Sequence, residues 1–217
     1  AAYAKLTAKT LGSDAGVTAE HNGGTHMPFE DLGLMRLIPH ATVYEASDAT
    51  MLEYLLKDVV EEYGVHYIRT TRKTATKLYE KGETFPKGKG KVLREGKDVT
   101  IIASGIMVAE SLLAANLLAE QGIEATVIDM YSIKPIDEEL IVKYAKKTGA
   151  IVTAENHNVI GGLGSAVAEV LSEQCPTPLR RIGVKEQFGQ VGQAEYLKEV
   201  YELTANDIVK AVKSVKK

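Results

Sequence analysis

From residue 99 onward the chain repeats one rhythm: a short apolar run, then a stretch of helix length with one apolar face. VTIIAS (99–104), ATVIDM (125–130) and AIVTAE (150–155) have the composition of strands buried on both faces. After Gly105, the residues Val108, Leu112, Ala115 and Leu118 fall on one side of a helix that Gly122 ends. Asp137 stands where a helix cap is needed, with Glu138 and Glu139 in the first turn and Lys146 and Lys147 in the last, as the helix dipole prefers. The third run leads through GGLGSA into a helix to about Gln174. RRIGV (180–184) reads as a further strand, and two helices follow near 194–202 and 204–216. Strands that alternate with helices are joined by right-handed crossovers into a mostly parallel sheet with helices on its faces.

The N-terminal part carries a shorter version of the same rhythm. Gly12 to Thr25 is a glycine-rich loop, and Glu30 to Ile38 is a short helix stopped before Pro39. ATVYEA (41–46) is a strand. Ser47 or Asp48 caps a helix with Leu52, Leu55, Leu56, Val59, Val60 and Tyr63 on one face, ended by Gly64, and VHYIRT (65–70) is the next strand. Between the two blocks, Lys73 to Lys97 holds Pro86 with Gly82, Gly88, Gly90 and Gly96 and reads as a linker. The pattern predicts an α/β protein of two α/β/α sandwich domains with mostly parallel sheets, divided at 1–85 and 86–217, the first of them truncated.

Composition excludes several classes. A chain of 217 residues can bury a core, and a net charge of −3 gives no basic footprint for nucleic acid. The lysines at 87–97 and 210–217 read as solvated runs. Cys175 is the only cysteine, so no internal disulfide or cysteine metal cluster can form, and a cytoplasmic setting is the default. No apolar run reaches the roughly 18 residues that span a bilayer, and AAYAKLTAKTLG lacks the apolar core of a signal peptide. The first residue is not Met, which reads as a processed chain or a fragment.

Three constellations can carry chemistry. GSDAGVTAEHNGGTH (12–26) packs Asp14, Glu20, His21, Asn22 and His26 into one glycine-punctuated loop, where a histidine can exchange a proton or hydrogen bond with a substrate hydroxyl or carbonyl. IRTTR places Arg69 or Arg72 at the carboxyl end of a parallel strand, facing the crevice where open α/β sheets bind ligands. Either can grip a phosphate or carboxylate or form a surface salt bridge. AENHNVIGGLGSA (154–166) follows a strand and opens a helix. Its spacing is not GxGxxG, and it reads either as an anion site or, preferably, as tight strand–helix packing beside an acidic surface residue. No P-loop, serine elbow, zincin helix or magnesium-type aspartate run is present.

Together these segments resemble the transketolase family, from about Gly12 to the C-terminus. The family pattern H-x-G-x-x-x-G-x-D-G-x-T-H-Q-x-x-E-D-x-x-x-x-R-x-I-P, followed by a strand and S-D, agrees at Gly16, Gly23, Thr25, His26, Glu30, Asp31, Arg36, Ile38, Pro39, Ser47 and Asp48. VTIIASG, the IKPID turn (133–137) and E-x-H-x-x-x-GG-x-G-S-A (155–166) resemble the family's C-terminal domain. The resemblance implies transfer of a two-carbon ketol unit from a ketose or its phosphate to an aldose. Thiamine diphosphate and Mg²⁺ are the implied cofactors, with the magnesium ligands outside this chain. It implies that His26 meets the donor's carbonyl or neighbouring hydroxyl, that Arg72 holds its distal phosphate, that Asn22 faces a hydroxyl, and that Asp14 lies near the phosphate.

Three departures from the pattern matter: Asp14 and Asn22 replace a histidine and an aspartate, and Met27 replaces a glutamine. A carboxylate at 14 repels phosphate or pairs with Arg72, so a ketose of different charge becomes an expected donor. The family's diphosphate- and magnesium-binding domain and its catalytic glutamate are not found in this sequence. The chain is therefore expected to be inactive alone, a C-terminal part or subunit that works with a diphosphate-binding domain or subunit in a dimer or heteromer. The decarboxylating component of a 2-oxoacid dehydrogenase, deoxyxylulose-phosphate synthase and a non-catalytic assembly domain are the alternative readings.

Overall fold

The structure is a computed structural model that describes residues 1–73 and 75–215. The expected α/β architecture is present as two sheets. The first has the order β1-β3-β2-β7. Strands β1 (Ala8–Gly12), β2 (Thr42–Glu45) and β3 (Val65–Arg69) are parallel, and β7 (Ser132–Lys134) lies antiparallel on β2. The second sheet has the order β4-β6-β5-β8-β9. Here β5 (Val99–Ala103), β6 (Ala125–Asp129), β8 (Ile151–Asn158) and β9 (Leu179–Val184) are parallel, and β4 (Lys91–Arg94) closes one edge antiparallel.

The central strands β5 and β6 are buried along their whole length because both faces are covered. Ile101 packs into one cluster with Leu118, Ile208 and Val212, from helices α3 (Met107–Ala119) and α7 (Ala205–Val215). Its neighbour Ile102 points the other way, toward Ile141, Val167 and Leu171 of α4 (Glu138–Thr148) and α5 (Leu163–Gln174). Both clusters continue into the first block. Leu32 of α1 (Asp31–Arg36), Val43 and Tyr67 join the second cluster, and Val17, Met27 and Phe29 join the first, so the two blocks share their cores. The remaining helix, α6 (Ala194–Val200), precedes α7.

Two segments differ from expectation. The N-terminal stretch supplies an edge strand, β1. The supposed linker is structured, with Tyr79 and Phe85 buried against each other at 4.8 Å and Tyr131 packed on Phe85 at 5.5 Å. The cause is a single carboxylate. Asp48, not Ser47, caps α2 (Ala49–Glu61): its Oδ1 accepts from the Met51 amide at 2.9 Å, and its Oδ2 accepts from the Leu78 and Tyr79 amides, each at 2.9 Å. One side chain thus binds a helix start and the linker together.

Tyr79 in turn donates to Asp129 Oδ2 at 2.7 Å. Burial pushes the Asp129 carboxyl from 3.8 up to about 7, against the pull of the Tyr79 and Ser47 hydroxyls. The folded protein therefore keeps this proton up to about pH 7 while the unfolded chain releases it near 3.8. The stability contribution is full below pH 3.8 and is lost as pH rises through 7. His157, held by burial below its usual 6.5, acts in the opposite sense as pH falls, so the readout is a difference. Asp129→Asn, which keeps an acceptor for Tyr79, is expected to gain stability relative to wild type as melts are repeated from pH 4 to 8. A constant difference would show that Asp129 is ionised throughout.

Candidate functional site

The loop from Gly12 to Pro28 closes at its base on the carboxyl end of β3. Thr70 donates to Gly12 O at 2.9 Å, Ala15 donates to Thr70 O at 3.3 Å, and Gly16 donates to Pro28 O at 3.1 Å. Asn156 of β8 clamps the same corner, donating to Ala15 O at 2.9 Å and accepting from the Val17 amide at 3.0 Å. Gly16 has φ +52, and a Cβ there would lie 2.2 Å from Asn156 Oδ1, so both backbone and space demand glycine.

The structure brings two of the four expected residues together. Asp14, at φ 62 in the turn after β1, lies 3.6 Å from the Arg72 guanidinium beyond β3. Asn22 ends a 3-10 turn on the exposed side of the loop. His26 ends the next turn, also exposed, with Nδ1 at 2.9 Å from Thr25 Oγ1. Among the described residues, neither Asn22 nor His26 meets the Asp14–Arg72 pair by a hydrogen bond or ion pair.

Arg69 is not a ligand arm. Its side chain is 0% exposed, and Nε donates to Asp31 Oδ2 at 2.8 Å, Nη1 to Glu45 Oε1 at 2.6 Å and Nη2 to Pro28 O at 3.1 Å. Ser104 Oγ, beyond β5, donates to the other Glu45 oxygen at 2.5 Å. Tyr67 donates to Asp31 at 2.6 Å. Burial alone would raise the Asp31 carboxyl, but Arg69 beside it prevails and holds it below the usual range. Arg69 therefore joins β3, α1, β2 and the base of the loop, and through Glu45 it reaches the second sheet.

The glycine-rich segment after β8 is packing, as preferred, but its acid is not on the surface. Glu155 is fully buried, with Oε2 accepting from the Leu163 amide at 2.7 Å and Oε1 from the Gly164 amide at 2.8 Å. Burial raises this carboxyl to about 8; the amides that open α5 are thus taken by the chain's own side chain, and no anion site is left there.

Sequence reasoning also missed a cleft of about 260 Å³ between the loop, the segment after β3 and helices α3 and α6. Thr18, Glu20, Thr71, Lys73, Glu110 and Lys198 are among its walls. Glu20 is ion-paired with Lys73 and accepts from the Ala194 amide at 3.2 Å, while Lys198 lies 2.5 Å from Glu110. No local spacing announces this arrangement, because its carboxylates and lysines come from four distant segments.

Comparison with known proteins gives this geometry a context. Residues 1–77 match the family model "Transketolase, pyrimidine binding domain" and residues 88–208 match "Transketolase, C-terminal domain". The chain belongs to the transketolase family. It is 54% identical over 99% of its length to a protein of Clostridium sp. (strain MSTE9) named 6-deoxy-6-sulfo-D-fructose transketolase subunit SqwH, and spans 66% of that relative. It is 41% identical over 97% of its length to a putative transketolase C-terminal section of Methanocaldococcus jannaschii (strain ATCC 43067), spanning 67% of it. A solved structure described as "Split gene transketolase, inactive beta4 tetramer" superposes with a TM-score of 0.90 at 46% identity, over 99% of this chain and 68% of that one. The chain is thus a C-terminal piece of a transferase family that generally uses thiamine diphosphate. Among the described residues no helix is long and apolar enough to cross a membrane.

Proposed function

We propose that this transketolase chain is the C-terminal part or subunit of an enzyme that moves a two-carbon ketol unit from a ketose to an aldose, working in the cytoplasm. The supporting observation is the closed loop of 12–28: it sets Asp14 against Arg72 at the carboxyl end of a parallel strand and leaves His26 exposed. Thiamine diphosphate, when bound, supplies the electron sink for the carbon–carbon chemistry. Among the described residues no three His, Cys, Asp or Glu side chains gather where they could hold a metal ion. By resemblance to the family, magnesium and the diphosphate belong to a diphosphate-binding domain or subunit, with which this chain forms a heteromer or dimer.

In this reading His26 hydrogen-bonds the donor's carbonyl or adjacent hydroxyl, Asn22 faces a donor hydroxyl, and Arg72 with Asp14 meets the donor's far end. Two relatives support a two-polypeptide enzyme acting on a ketose. One is the Clostridium protein named as a sulfofructose transketolase subunit. The other, from Phocaeicola vulgatus and 38% identical over 100% of this chain, is named as one subunit of an apulose-4-phosphate transketolase.

The test is reconstitution. The full-length parent chain, mixed with the subunit that carries the diphosphate domain, is expected to bind thiamine diphosphate and transfer a ketol unit. His26→Ala in that complex should lower kcat/KM by about 10²-fold, the loss typical of a positioned polar group. An unchanged rate would remove His26 from the site, and turnover of pyruvate in place of a ketose donor would replace this reading with the synthase or dehydrogenase one.

A further inference from the structure

Two cations stand just beyond the carboxyl end of β3, and each is already matched. The loop after β1 sends Asp14 to within 3.6 Å of Arg72 and Glu20 into an ion pair with Lys73. The carboxylates come from one loop and the cations from one segment, so this row at the strand end carries almost no net charge. The Asp14 pairing is built in. Its backbone sits at φ 62, a conformation that aspartate tolerates better than most residues. The next residue is pinned to β3 through the Ala15–Thr70 hydrogen bond at 3.3 Å. The pair also faces outward: the Arg72 side chain is 46% exposed and that of Asp14 30%. A guanidinium offers five N–H donors, and a contact at 3.6 Å on one nitrogen leaves others for an incoming group.

Charge then decides what that group can be. A phosphate ester carries about −1.5 to −2 near pH 7. Approaching Arg72 it would meet the Asp14 carboxylate at close range, with no uncompensated positive charge to offset the repulsion. A terminal sulfonate carries a single charge and a terminal hydroxyl none, and both can accept from the fork without that cost. Resting on the ketol-transfer reading above, we infer that Asp14 is a specificity-determining residue: it restricts the donor to ketoses whose far end bears one negative charge or none, and it discriminates against a dianionic phosphate.

The experiment uses the full-length chain assembled with its diphosphate-domain subunit and three donors on one carbon skeleton: fructose 6-phosphate, its 6-deoxy-6-sulfonate analogue and fructose. The wild-type complex is expected to favour the sulfonate or the sugar over the phosphate. Asp14→Asn should raise kcat/KM for the phosphate relative to fructose by about tenfold, mainly through KM, and the change should shrink in high salt. Asp14→Glu should restore the wild-type ratio. In the Arg72→Ala background the Asp14 carboxylate is unmatched, so Asp14→Asn should raise the phosphate-to-fructose ratio at least as much as in wild type. A purely structural Asp14 would lower all three donors together, and that outcome overturns the inference, as does a wild-type enzyme that prefers the phosphate. Absence of ketol transfer from every donor would instead sink the reading beneath it, a result distinguishable because it appears before any variant is made.

Discussion

Replacing Arg69 by methionine is expected to destabilise the protein by about 3–5 kcal/mol, the range found when one partner of a buried ion network is removed. The guanidinium is 0% exposed and donates to two carboxylates and one carbonyl, at 2.8, 2.6 and 3.1 Å. Methionine fills much of the volume but donates nothing. The Glu45 carboxylate, 4% exposed, would keep only Ser104 as a partner, and Asp31 only Tyr67. Arg69→Lys is expected to fare little better, since one ammonium cannot reproduce a planar fork directed at two acids and a carbonyl. Denaturant unfolding of the full-length chain measures the loss. A cost below about 1 kcal/mol would show that the carboxylates find other partners and that Arg69 does not hold the two sheets together.

Gly162→Ala is expected to cost about 3 kcal/mol by a different route. A Cβ at this position would fall 1.9 Å from Glu155 Oε2 and 2.7 Å from His157 Nδ1. Both neighbours are buried at 0% exposure and have nowhere to retreat. Burial raises the Glu155 carboxyl to about 8, so near pH 7 it is largely protonated; swinging it off the Leu163 and Gly164 amides loses two buried hydrogen bonds at the start of α5, and each donor left unpaired costs about 1–3 kcal/mol. Gly122→Ala is the control. That residue has φ +77 but nothing within 4 Å of its Cβ, so only the backbone penalty of about 1 kcal/mol applies. If the two variants melted alike, conformational freedom rather than the space beside Glu155 would be the reason for glycine at 162.

The second sheet was legible because parallel strands covered on both faces read as unbroken apolar runs, and VTIIAS, ATVIDM and AIVTAE became β5, β6 and β8. The edge strand β1 was not, because AKTLG lies exposed at the margin of its sheet and has no alternating pattern to show. Tyr79 and Phe85 were read as linker because their burial depends on Asp48, about thirty residues earlier, and on Asp129, about fifty later. In the site, Arg72 was legible because it stands just beyond the strand read at 65–70, whereas its pairing with Asp14 was one of two expectations drawn from the family resemblance.

Arg69 and Arg72 draw the boundary most sharply. Three positions apart on one strand end, they are chemically identical, and both suit an anion. Periodicity, capping residues and the glycine-punctuated loop are local signals, and by themselves they determined the α/β class, the helix starts and the residues that crowd the carboxyl ends. Which arginine is locked inside, and which meets a single aspartate in solvent, depends on Asp31, Glu45 and Asp14, which lie far away in sequence and near only after the sheets have packed. The tertiary structure alone decides that, because a buried charge is fixed by the partners that surround it and a linear pattern does not specify them.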